Sequence, residues 1–168
     1  MVPSVRRVVP SKEADAPLPA CGAPLVVKGG HAGLGGRRLA YQVLVRIPVG
    51  TALVEEVTFR GVLLAAWRPW GLLVAVGVSS LAFGLWHIAP TIALVRANRP
   101  AAGGGTVVLV TLAAVVVTSS GGLGLAWLQL GTSGLAAPVA LHASLNGLAV
   151  VAGLLAHRTA ARPASTRR

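Results

Sequence analysis

Acidic residues are scarce in this chain: four Asp and Glu stand among 168 residues, against fifteen Lys and Arg, for a net charge of +11. Cysteine is scarcer still. The single Cys21 excludes an internal disulfide and, having no CxxC or His/Cys companion, a structural zinc site. Residues 1–36 carry basic side chains but no sustained apolar run, so no cleavable signal peptide is expected and targeting falls to the first spanning helix. There is no repeat at solenoid period, no heptad pattern, no phosphate-binding glycine loop and no His-Glu-x-x-His. These absences remove the common soluble catalytic frameworks.

What remains is apolar. With 54% hydrophobic residues, 11% charged residues and a mean hydropathy of +0.74, the chain is too hydrophobic for a soluble domain and too short for two. The composition predicts an all-α, polytopic helical membrane bundle. The positive charge does not indicate nucleic acid, because the Lys and Arg lie in the first 38 residues, in short loops and in the last 11. Flanking charge of this kind orients helices and meets anionic lipid headgroups.

Four apolar segments follow a leader. Residues 1–36, rich in Pro and Gly, read as an irregular tail, residues 37–157 as the helical core and residues 158–168 as a basic tail. The first segment, about Leu39 to Ala66, exceeds one membrane crossing and is expected to kink at Pro48. The second covers about Trp70 to Val95, with Trp67 and Trp70 suited to the interface, and ends at a Gly103-Gly104-Gly105 loop. The third, about Val107 to Leu130, carries Ser119-Ser120-Gly121-Gly122, where close helix packing is expected rather than a bend. The fourth runs from about Leu135 to Ala156. Four spans put both termini on one side, and only Arg68 falls in the two opposite loops, so both termini are predicted to be cytoplasmic.

Glu55 and Glu56 break this pattern. They sit together in an apolar stretch, where an unpaired carboxylate costs about 2.5–3.5 kcal/mol even on lenient insertion scales, so a functional site is the default reading. Arg60 follows Glu56 by one helical turn, in the order that favours pairing, and neutralises it. Glu55 has no local partner. His87 lies in the second segment, and His142 with Asn146 one turn on lies in the fourth. Polar groups on apolar helices face the bundle interior, so these sets are expected to build one polar pocket within the membrane.

Two chemistries suit such a pocket. Carboxylates and imidazoles can ligate a divalent metal such as zinc, with Glu55, His87 and His142 as the ligand set, or a carboxylate can act as base on a water. The spacing alone leaves both open.

The strings Glu55-Glu-Val-Thr-Phe-Arg-Gly61, Phe83-Gly-Leu-Trp-His87 and His142-Ala-Ser-Leu-Asn146 closely resemble, in order, the three motifs of the CPBP intramembrane proteases, also called the Abi or CAAX-protease family. The likeness covers about Val54 to Val150. It implies a helical membrane peptidase acting on peptide or protein substrates at the membrane, with prenylated CAAX proteins as the eukaryotic-type case. The Ala-, Val-, Gly- and Arg-heavy composition hints at a high-GC bacterial source, so the expected location is a bacterial plasma membrane. By the resemblance, Glu55 is the general base on a water held with His87, while His142 and Asn146 stabilise the oxyanion. Glu56 and Arg60 set the electrostatics.

Two other classes compete. A non-catalytic immunity or scaffold protein of the same fold would keep the motifs without turnover. A small transporter would also place Glu, Arg and His within the membrane, but nothing here resembles an inverted repeat.

Overall fold

The computed structural model describes residues 36–160, and every regular element among them is helical. Cys21 and both expected tails, apart from Gly36 and residues 158–160, lie outside these residues. The described residues begin with a long bent helix, α1 (residues 36–67), followed by a short 3₁₀ turn at Arg68–Trp70. Then come α2 (Leu72–Trp86), α3 (Ile88–Asn98), α4 (Gly104–Thr132) and α5 (Ala136–Ala160).

The first helix continues through Pro48 without a break. Its turns widen instead to π geometry over Gln42–Arg46, Pro48–Leu53 and Val57–Leu63, which leaves a short α-helical piece, Val54–Glu56, between the last two. Wide turns of this kind recur at functional sites. Here they flank the two carboxylates.

The second apolar segment, continuous in hydropathy, is divided into two helices. Pro90 lacks the N–H that would bond the carbonyl of Trp86, so the helix stops at Trp86 and restarts after His87. The restart keeps the segment apolar and nearly continuous. Leu72–Asn98, Gly104–Thr132 and Ala136–Ala156 are each long and apolar enough to cross a membrane.

Reversals between helices have local causes. Gly71 adopts φ +107°, a conformation that L side chains rarely take, and lets the chain leave the Trp67/Trp70 pair, whose rings lie 5.1 Å apart. At the end of α4, Ser133 is left-handed and the Gly134 amide bonds Gln129 O at 3.2 Å. The fourth segment then runs to Ala160, beyond its expected end.

Burial is inverted relative to a soluble protein. Leu73, Leu109, Val117 and Leu148 are exposed, as a lipid-facing surface requires, whereas Glu55, Glu56, Arg60, Ser79, Ser80 and His142 are buried. Several helix hydroxyls bond their own backbone, as Thr111 does to Val107 O at 2.7 Å and Ser144 to Ala140 O at 2.7 Å.

Close packing of α2 on α4 sets the centre of the bundle. A Cβ on Gly84 would collide with Ser119 Oγ and lie 2.8 Å from Val115 O, and a Cβ on Gly122 would lie 3.2 Å from Ser80 Cα. Small residues let the two backbones meet. The Ser119–Gly122 stretch is therefore a packing seam in an unbroken helix, as the sequence suggested.

Candidate active site

Arg60 is the largest fully buried side chain among the described residues. A guanidinium in that position needs partners on every side. Its Nη1 donates to Glu56 Oε1 at 3.0 Å, its Nη2 donates to Gly122 O of α4 at 3.1 Å, and its Cζ lies 4.2 Å from the centre of the Phe83 ring of α2. Three helices thus hold one cation. Gly122 is required beside it, because an added Cβ would stand 3.2 Å from Arg60 Nη2.

Glu56 serves a second group. His142 Nδ1, from α5, lies 2.8 Å from the same Oε1, and since a carboxylate accepts, the ring donates Nδ1–H. That bond turns Nε2 of His142 toward Glu55, whose Oε2 is 3.6 Å away. His142 therefore stands between the two carboxylates.

Glu55 is 5% exposed and has one hydrogen-bond donor among the described residues, the indole Nε1–H of Trp86 at 3.3 Å on Oε1. Its Oε2 is buried and hydrogen-bonds no described residue. His142, His87 and Glu56 act on it through space.

His87 occupies the break between α2 and α3. Its Nδ1 lies 2.7 Å from Phe83 O, and because a carbonyl only accepts, the proton sits on Nδ1 and Nε2 keeps its lone pair in the neutral ring. The ring packs edge-on to Phe83, with centroids 4.7 Å apart. Phe83 meets the His142 ring as well, at 5.6 Å, and Phe59 at 5.3 Å. Ser79 Oγ ties the two helices by donating to Phe59 O at 2.8 Å.

Of the residues singled out in the sequence, Glu55, Glu56, Arg60 and His142 meet in one buried cluster, and His87 flanks it across Phe83. Asn146 lies one turn along α5 from His142, half-buried, without a side-chain hydrogen bond to any described residue. Two features differ from the sequence reading. His142 pairs with Glu56 as well as facing Glu55, and Glu55 has a partner, Trp86. The adjacency of Trp86 to His87 was the available signal for the second.

A metal would need a different gathering of donors. Among the described residues no three His, Cys, Asp or Glu side chains come together in a group able to hold an ion, so Glu55, His87 and His142 do not form one here.

The polar interior of this helical membrane bundle is thus a Glu–Glu–Arg–His cluster drawn from separate helices. The sequence matches the family described as type II CAAX prenyl endopeptidase Rce1-like over residues 37–148. The chain belongs to that family and is a CAAX-type intramembrane endopeptidase, an integral membrane protein whose substrate is a membrane-associated protein. No curated protein and no solved structure matches the chain.

Proposed function

We propose that the chain hydrolyses a peptide bond of a membrane-associated, CAAX-like protein substrate with Glu55 as general base on a water. The observation that carries this reading is the asymmetry of the Glu55 carboxylate. One oxygen is engaged by Trp86, and the other, buried and without a hydrogen bond to any described residue, faces His142 Nε2 at 3.6 Å.

In this reaction Glu55 Oε2 takes a proton from water as the water oxygen attacks the scissile carbonyl. The Nε2 lone pair of His87 accepts a hydrogen bond from the second water proton, which stays on the attacking oxygen, and so orients the nucleophile. To stabilise the tetrahedral oxyanion, His142 must carry a proton on Nε2 as well as on Nδ1, and the Asn146 amide is the second donor. Each such donor contributes about 2.7–4 kcal/mol in a water-poor site. Glu55 then returns its proton to the departing amine, and the bond breaks. Glu56 and Arg60 keep the His142 ring oriented throughout.

An open apolar groove of about 480 Å³ lies between α1 and α5, lined in part by Val43, Leu44, Pro48, Gly147 and Leu148. It offers an apolar surface to a lipid chain on the substrate.

The test uses purified protein in lipid nanodiscs with prenylated and unprenylated peptides. Wild-type protein is expected to cleave and Glu55→Gln to lose roughly 10²–10⁴-fold in kcat, the range for a positioned acid–base group. Cleavage by Glu55→Gln at the wild-type rate would refute the role of Glu55. Because the proposed steps use no metal, a chelator is expected to leave the rate unchanged.

A further inference from the structure

Trp86 stands out once the site is assembled. It is about half exposed, at 52%, on a helix whose exposed side chains are otherwise aliphatic, yet its one polar atom points inward. That atom donates to Glu55 Oε1 at 3.3 Å, and no other described residue hydrogen-bonds to this carboxylate.

The geometry points to Trp86 as a positioning residue for the base, an inference that rests on the catalytic reading of Glu55. A carboxylate on a two-carbon stem can rotate, and only one of its oxygens faces His142 Nε2. The indole N–H fixes which one. With Oε1 tied to Trp86, Oε2 is left toward His142, where the water proton is to be taken.

The indole is itself held. Trp86 is the last residue of α2, and the stop imposed by Pro90 fixes its backbone where the chain turns at His87. Its ring packs edge-on to Phe59, with centroids 6.1 Å apart, and Phe59 lies one turn beyond Glu55 on α1. The same interruption that presents His87 therefore presents the indole. At 3.3 Å the bond is longer than the usual range for N–H···O, so its effect is moderate rather than decisive.

Two measurements test this. In nanodiscs, the indole N–H signals of the four Trp are recorded by NMR, and that of Trp86 is assigned by Trp86→Phe. Glu55→Ala is expected to move the Trp86 signal while those of Trp67 and Trp70 stay in place. An unmoved signal would overturn the proposal whether or not a substrate is known.

The second measurement replaces Trp86 by benzothienylalanine, which keeps the ring shape and lacks the N–H. A roughly tenfold fall in kcat with KM within about twofold is expected, as for loss of one hydrogen bond to a charged group. A fluorotryptophan at the same position, which keeps the donor, is expected to restore the rate. An unchanged kcat, or a rise in KM alone, would remove Trp86 from positioning the base. Should wild-type protein cleave no peptide, the peptidase reading fails, and the indole signal still decides whether Trp86 holds Glu55.

Discussion

Glu56 and Arg60 illustrate how strongly a buried charge depends on its neighbours. Removing Glu56 leaves the Arg60 guanidinium and the His142 ring without their shared acceptor, so Glu56→Ala is expected to destabilise the protein by about 3–5 kcal/mol. Thermal unfolding in detergent should show a clear loss for Glu56→Ala and a smaller one for Glu55→Ala, whose carboxylate has a single donor. Arg60→Lys is not a conservative change. A lysine ammonium cannot reach Glu56 and Gly122 O as a fork while lying flat over Phe83, and a loss of about 1–3 kcal/mol is expected in the same assay. The Glu56–Arg60 bond was legible in the sequence because both partners lie on one helix, four residues apart. The His142–Glu56 bond was not, since it spans 86 positions and no local spacing encodes it. Trp86 was hidden for another reason: a Trp in an apolar segment reads as a lipid-facing ring until its N–H is seen to have a target.

Helices bring these residues together through their small positions. Gly84→Ala pushes a methyl group against Ser119 Oγ and the Val115 carbonyl, so a destabilisation of about 1–3 kcal/mol is expected. Adding Ser119→Gly should recover only part of this, because the backbone carbonyl cannot move away as a side chain can. Full recovery in thermal unfolding would show that the contact with Val115 O is unimportant. The apolar segments, their order and the close-packing role of Ser119–Gly122 could be read from hydropathy and from small residues. The widened turns of the first helix could not, as no residue type prescribes π geometry. The interruption at His87 lay between these cases. Pro90 marks it, but hydropathy alone runs straight through.

For the whole molecule, the fold class was set by composition, and three of the four expected spans meet the length and hydropathy of a crossing helix. The fourth, α1, is the bent helix that carries Glu55, Glu56 and Arg60, and these buried charges set it apart from the others. The basic loops lead us to propose that both termini face the cytoplasm. The single cysteine offers a direct check, since Cys21 precedes the first span. A membrane-impermeant maleimide is expected to leave Cys21 unlabelled in intact cells and to label it after permeabilisation. Labelling of intact cells would reverse the orientation.

Arg60 gathers Glu56 from its own helix, Phe83 from α2 and Gly122 from α4, and Glu56 in turn draws His142 from α5. A nascent chain with its last helix not yet docked would have its carboxylates but no imidazole between them. The cluster is therefore complete only once α5 has docked, so its ion pairs report assembly of the whole bundle rather than of any one helix.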